Sequence, residues 1–333
     1  MPMSLPRIAL MLSGGTIDSV GTDRLDLAWY FENGQRLEPA ELVSRVPEIA
    51  QIAELVHIPF KRLSSGGMQP ADWLELTHTL QERLDGGLEG AVVTHGTNTL
   101  EETAYFLNLA LRTDKPVVVT GAMRPSTAIS PDGYLNLLNA FRVAADSSAR
   151  GKGVLVLLND TIHGARDVTK TNTFRVHTFQ SRDAGPLGYA DADGRLIWYM
   201  ASVRRHTSAS ELDVRQVTDL PRVDVVVSYV GADGALIDAA VAAGAQGIVS
   251  AGTGAGRPTP GEDDALDRAA AKGVVAVQAS RTGSGRVARS PKLRARGIVT
   301  ADDLLPWKAR ILLMLALTRT RDPETVQRMF EEY

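Results

Sequence analysis

Two short runs set a hydroxyl beside glycine in a way that could serve a reaction: Ser13-Gly14-Gly15-Thr16 and His95-Gly96-Thr97-Asn98. Glycines let the backbone approach a ligand closely and offer N–H groups to an oxygen that gains negative charge. A threonine hydroxyl is a weak nucleophile at neutral pH and needs a base or a lowered pKa. The candidate base is Lys170, in the polar run Asp167-Val168-Thr169-Lys170-Thr171-Asn172-Thr173. Burial in the same crevice would lower its pKa. By itself Lys170 reads as a solvated surface lysine, because lysines are seldom buried. His95 reads as a core or supporting histidine rather than a base. Two further turns, Ser64-Ser65-Gly66-Gly67 and Thr120-Gly121, share the small polar character of the first two.

The rest of the composition narrows the chemistry. There are no cysteines, which excludes disulfides, thiolate metal sites and a cysteine nucleophile. The six histidines show no His-x-x-His spacing, so no metal is expected. Neither a P-loop nor a dinucleotide fingerprint follows the first strand, and no cofactor is expected. The net charge is −3 with both signs interspersed, which argues against nucleic acid or an anionic membrane as partner. A small-molecule substrate remains. The apolar run at residues 8–12 is too short for a signal segment, and no apolar stretch approaches the ~20 residues of a membrane span. The expected compartment is the cytoplasm.

The elements that must position these turns follow a repeating order of strand, Gly/Thr turn and helix. Strands are expected at residues 8–12, 56–60, 91–93, 117–119 and 154–158, with helices at 39–46, 72–84 and 134–145. Apolar Leu100, Ala104, Leu107 and Leu111 mark a further helix face. Thr99 and Glu102 have the spacing of a capping box. Such alternation predicts a mostly parallel sheet with right-handed crossovers. In that fold the four polar turns gather at the carboxyl edge of the strands. The run after residue 158 reads as a long polar loop, and residues 21–36, with Trp29, Tyr30 and Phe31, as a flexible loop. The expected fold class is α/β, with a larger N-terminal domain over residues 1–192, a linker at 193–221 and a smaller α/β domain at 222–333. In the smaller domain, strands are expected at 223–227, 247–249 and 274–277. Loops are expected at 250–256 and 279–285, and a last helix at 306–319.

Several of these motifs, in order, resemble the bacterial-type L-asparaginases. They are Gly14-Gly15-Thr16-Ile17, Thr94-His95-Gly96-Thr97-Asn98-Thr99-Leu100-Glu101-Glu102 and Gly121-Ala122-Met123-Arg124-Pro125. Asn159-Asp160, the run around Lys170 and Gly247-Ile248-Val249-Ser250-Ala251-Gly252 complete the set. The resemblance runs from about Ile8 to the C-terminus. It implies an amidohydrolase that forms a homotetramer of tight dimers, with sites between one subunit's N-terminal domain and its partner's C-terminal domain. Carried over by position, it makes Thr16 the nucleophile, Tyr30 its activating lid tyrosine, and Thr97 and Lys170 the second threonine and its lysine. Substrate contacts fall to Gly15, Ser65, Gly66, Gly96, Asn98 and Ala122.

The departures bear on the substrate. Members of that family usually carry an aspartate at the position of Asn98, where it holds the substrate's α-ammonium. Gly66 stands where a glutamine is common, Ala255 where an asparagine is frequent, and residues 282–296 hold no counterpart of a glutamate that helps bind the amino group. Each missing group weakens recognition of a zwitterionic amino acid, since a charge-assisted hydrogen bond is typically worth ~1.5–3 kcal/mol. Hydrolysis of L-asparagine to L-aspartate and ammonia is the first expectation. A second keeps the machinery but changes the substrate to an amide, lactam or imide without a free α-amino group. The third is a non-catalytic small-molecule binding protein.

Overall fold

The structure, a computed structural model, describes residues 4–333. Two compact units divide the chain, one ending at Asp213 and the other covering Val214–Tyr333. In the first, five strands joined by four helical crossovers come in chain order. They are β1 (Arg7–Leu12), α1 (Pro39–Ser44), β2 (Glu54–Ile58), α2 (Pro70–Asp85), β3 (Gly90–Thr94), α3 (Leu100–Ala110), β4 (Val117–Thr120), α4 (Gly133–Ala145) and β5 (Val154–Leu158). Short strands β6 (Thr161–Gly164), β7 (Val168–Lys170), β8 (Phe179–Ser181), β9 (Gly188–Ala190) and β10 (Leu196–Trp198) follow.

The main sheet has the order β10-β9-β6-β5-β4-β3-β1-β2. Strands β2, β1, β3, β4 and β5 are parallel, whereas β6, β9 and β10 extend the sheet antiparallel. Apolar runs in the central strands are unbroken because both faces are covered. Side chains alternate between the faces. Ile8, Leu10, Leu12, Val92 and Val118 pack with Leu137 and Phe141 of α4. Ala9, Met11, Val93 and Val119 pack with Leu76 and Leu80 of α2 and Leu107 of α3. The order 2-1-3-4-5 reverses direction between β1 and β3. A crevice opens there at the carboxyl ends of the strands, the switch point of doubly wound sheets.

Several expectations need correction. The run after β5 is not one polar loop. Asn159 and Asp160 both take positive φ, 50° and 61°, and close a two-residue hairpin between β5 and β6. Asparagine and aspartate tolerate that conformation, which suits the twist of antiparallel strands. Strands β7 and β8 then form a two-stranded arm that ends at Lys170. Inside the stretch expected as linker, Leu196–Trp198 pairs with Gly188–Ala190 at the sheet's edge. Thr99 stands at the N-cap of α3 but makes no side-chain cap; its hydroxyl instead donates to the Ser65 carbonyl oxygen at 2.8 Å. Residues 21–36 are pinned rather than free. Asp26 accepts from the Thr22 and Trp29 N–H groups at 3.0 Å each, and Asn33 Nδ2 donates to the Val20 carbonyl oxygen at 2.8 Å.

The second unit is a parallel sheet of β11 (Val223–Val227), β12 (Gly247–Gly252), β13 (Val275–Ser280) and β14 (Val299–Thr300), in that order. Its helices are α5 (Ala235–Ala242), α6 (Pro260–Ala271), α7 (Pro291–Ala295), α8 (Pro306–Ala316) and α9 (Pro323–Glu332). Ile237, Ile248, Leu266 and Ile298 build one face of its core. Strand β12 runs three residues beyond its expected end, because Ser250 and Ala251 pair with Gln278 and Ala279 and are buried. The last expected helix stops at Ala316, and α9 follows it. Asp322 caps α9 by accepting from Thr325 N at 2.8 Å, with Pro323 in its first turn. Among the described residues no helix is long and apolar enough to cross a membrane.

Candidate active site

The floor of the crevice is backbone. Gly14 and Gly15 leave β1 with φ of 94° and 109°, where side chains are strained. A Cβ on Gly15 would lie 2.5 Å from Gly96 Cα, so the turns after β1 and β3 touch because residue 15 is glycine. Gly96 in turn packs on Ser65, with room for no Cβ. Ser13 Oγ donates to the Thr94 carbonyl oxygen at 2.7 Å and locks the two strand ends together.

Under the second turn lies a fully buried imidazole. His95 Nδ1 meets the Gly96 carbonyl oxygen at 2.8 Å and therefore carries the proton. Its Nε2 is 2.9 Å from Thr103 Oγ1, which also accepts from Trp73 Nε1 at 2.9 Å. Burial pushes the His95 pKa down to about 4, with the Gly96 bond opposing, so the ring is neutral at physiological pH. This makes it a support for the turn. It also gives a stability signature. An unfolded His95 titrates near 6.5 while the folded one resists protonation to about pH 4. The unfolded chain therefore gains a proton as pH falls from 6.5 to 4, and stability present above that window is lost within it, by about 3 kcal/mol. His95→Gln is expected to flatten that part of the pH dependence in urea melts. An unchanged slope would show that another group is responsible.

Thr16 opens a 3₁₀ turn, Thr16–Asp18, and is buried. Its Oγ1 lies 2.8 Å from the hydroxyl of Tyr30, on the 3₁₀ turn Tyr30–Glu32. Burial raises the Tyr30 pKa, with the Thr16 bond opposing, so the phenol keeps its proton at neutral pH. Across the crevice, Lys170 Nζ donates to Thr97 Oγ1 at 2.9 Å and to Asn98 Oδ1 at 3.1 Å. Burial lowers the Lys170 pKa, and the charge of Glu101 opposes this. The same Glu101, in the first turn of α3, accepts from Lys170 N at 3.0 Å and from Thr169 Oγ1 at 3.1 Å. It thereby fixes the end of the β7–β8 arm against the sheet.

Thr16, Tyr30, Ser65, Thr97, Asn98, Lys170 and Gly15 line one cavity of about 380 Å³. Three expected contacts stand off its wall. Gly96 is taken up by the backbone floor. Ala122 is fully buried, and its neighbour Met123 lines the cavity instead. Gly66 is exposed, with nothing within 4 Å of a Cβ built on it. Sequence reasoning missed Arg36 and Phe174, which line the cavity, and Glu101, which positions Lys170. Glu101 carried a signal: an acid in the first turn of a helix that opens at a polar crevice. Arg36 and Phe174 carried none, since each lies in an irregular run.

Residues 7–204 match the family model Asparaginase, N-terminal, and residues 222–330 match Glutaminase/Asparaginase C-terminal domain. The chain is 42% identical over 331 residues to L-asparaginase 2 of Bacillus subtilis (strain 168), spanning 99% of this chain and 87% of that one. It is 40% identical over 334 residues to the glutaminase-asparaginase of Pseudomonas fluorescens biotype A, spanning 99% and 91%. The solved structure of a probable cytoplasmic L-asparaginase from Campylobacter jejuni matches it with a TM-score of 0.95 at 40% identity, over 98% of this chain and all of that one. With both halves of its length matched and the crevice set at the switch point of the sheet, the chain belongs to the bacterial-type asparaginase family.

Proposed function

We propose that the chain is an amidohydrolase that releases ammonia from the side-chain amide of L-asparagine through an acyl ester on Thr16. One observation carries this reading: two hydroxyls, each with its own titratable partner, face a single cavity. Thr16 Oγ attacks the amide carbon while Tyr30, a neutral phenol, relays the proton: its oxygen accepts the Thr16 proton as its own passes to the amide nitrogen. Donors on the Thr97 side take the charge that collects on the amide oxygen. Collapse breaks the C–N bond, and ammonia leaves with that proton. Water then attacks the ester, with Lys170 drawing its proton by way of Thr97, and regenerates the Thr16 hydroxyl. Ammonia release from L-asparagine and other amides tests the proposal. Absence of release from every amide offered would leave only a binding protein.

Asn98 is the position with the clearest consequence for asparagine. Asn98→Asp places a carboxylate in the crevice where a substrate ammonium can pair with it. A charge-assisted hydrogen bond is worth about 1.5–3 kcal/mol, so kcat/KM for L-asparagine is expected to rise about 10- to 100-fold. The new charge also faces Lys170, 3.1 Å from the present amide oxygen, and holds its proton more firmly. The acid limb of the rate profile therefore shifts to higher pH. A fall in kcat/KM for asparagine at every pH would refute this account. The resemblance further supports a homotetramer acting in the cytoplasm; light scattering in solution tests the assembly.

A further inference from the structure

The segment that carries Tyr30 leaves and rejoins the fold at the turn that carries Thr16. Ser19 and Arg36 face each other as an antiparallel bridge, and Val20 N donates to the Gln35 carbonyl oxygen at 3.0 Å. Beyond these roots Trp29 and Phe31 are exposed, while the Tyr30 hydroxyl reaches Thr16 Oγ1 at 2.8 Å. The outgoing root is held by neutral groups, with Gly21 N donating to Thr127 Oγ1 at 2.8 Å. The returning root is held by charge. Asp18, two residues after Thr16 in the same 3₁₀ turn, is 2% exposed. Its carbonyl oxygen accepts from Leu37 N at 2.7 Å. Its Oδ2 accepts from Arg62 Nε at 3.1 Å and from Arg62 Nη2 at 3.0 Å. Arg62 Nη2 also donates to the Leu37 carbonyl oxygen. Arg36 Nη1 adds an ion pair with Asp18 Oδ1 at 3.9 Å. Leu63 N, next along from Arg62, donates to the Ser13 carbonyl oxygen at 2.9 Å, so the arginine stands on the end of β1.

We infer that Asp18 is a positioning residue for the hydrolysis: with Arg62 it forms a strut that grips both polar groups of the Leu37 backbone and thereby seats the Tyr30 phenol on the Thr16 hydroxyl. This rests on the amidohydrolase reading and deepens it. A buried carboxylate and its guanidinium partner lose hydration, and apolar residues of similar volume are often no less stabilising. What the charges add here is direction, since a guanidinium held by two bonds to one carboxylate oxygen can aim Nη2 at a single carbonyl. That precision reaches the chemistry through the segment it anchors. A misplacement of about 1 Å arising far from the reacting atoms can cost about 100-fold in rate. Asp18 touches neither the cavity wall nor the two hydroxyls, so its part is played through Tyr30.

The test uses the full-length protein and two readouts, ammonia release from L-asparagine and amide hydrogen exchange across residues 20–37. Asp18→Asn keeps the volume, removes the charge and leaves the backbone bond to Leu37 in place. It is expected to lower kcat/KM at least tenfold and to speed exchange in residues 20–37 at least tenfold, with β3 unchanged. Arg62→Met is expected to act in the same direction, and Arg62→Lys to recover part of the loss. A double-mutant cycle separates positioning from a general structural effect. In a Tyr30→Phe background, where no phenol remains to be placed, Asp18→Asn is expected to cost less than threefold. Equal losses in the two backgrounds, or full activity in Tyr30→Phe alone, would overturn the inference. Unchanged exchange in folded Asp18→Asn would overturn the strut; should that variant not fold, Arg62→Met decides by the same two readouts. Should the wild type hydrolyse no amide, the amidohydrolase reading falls, and the exchange measurement still decides whether Asp18 holds the segment.

Discussion

Thr16→Ala is expected to reduce ammonia release by at least ~10⁴-fold with any amide the protein hydrolyses. The substitution deletes the oxygen that would carry the acyl group and leaves its surroundings in place. The backbone bond from Ser19 N to the Thr16 carbonyl oxygen, 3.1 Å, needs no side chain and keeps the 3₁₀ turn. Tyr30 loses its 2.8 Å partner but remains a neutral phenol that water can satisfy. Folding is therefore expected to survive, which circular dichroism and the melting temperature check. Thr16→Ser, which keeps a hydroxyl, is expected to retain part of the rate. If the alanine variant kept its rate to within tenfold, the nucleophile would have to be sought elsewhere on the cavity wall, and Thr97 would be the next residue to replace.

Lys170→Met is expected to lower kcat about 10³-fold, within the ~10²–10⁴ that a positioned base contributes. Methionine keeps the length of the stem and removes the amine that meets both Thr97 and Asn98. The arm itself stays anchored, because Glu101 grips it through the Lys170 backbone N–H and the Thr169 hydroxyl. The pH profile separates a base from a simple prop. Burial holds the Lys170 pKa below the usual lysine value of 10.5, and the amine must be unprotonated to act as base. Activity should therefore rise with pH through that lowered pKa in the wild type and lose this limb in the methionine variant. A methionine variant that kept the limb would assign it to another group, and His95 would not qualify, being neutral down to about pH 4.

Much of the fold and part of the site were readable from residues alone, and the division has physical causes. Five parallel strands announced themselves because a sheet covered on both faces needs unbroken apolar runs. The turns at their ends announced themselves because close backbone contact demands glycine, as at Gly15 and Gly96. Short antiparallel strands were less visible. Thr161–Gly164 and Val168–Lys170 are too brief to show a period, and their polar side chains are taken up by tertiary or turn partners, as Thr161 is by the Asn159 carbonyl oxygen and Thr169 by Glu101. The two-residue Asn159-Asp160 signal for a hairpin was present and outweighed by the polarity around it. Thr99 shows a different failure. Its spacing to Glu102 fits a cap, yet a tertiary partner, the Ser65 carbonyl oxygen, competes for the same hydroxyl and wins. Arg36 illustrates the limit of pattern reading, since only folding brings an arginine from an irregular run to the side of Gly14.

The contact between Gly15 and Gly96 also decides which parts of this pocket evolution can revise. A Cβ at Gly15 would collide with Gly96 and one at Gly96 with Ser65, so those two positions are closed to drift. Around them the obligations are light. Asn98 is exposed, and Gly66 has open space where a side chain would grow. A lineage can thus exchange the groups that choose a substrate, one residue at a time, above a floor it cannot alter. Departures at the choosing positions in a chain that keeps the floor intact are what such a division of constraint produces.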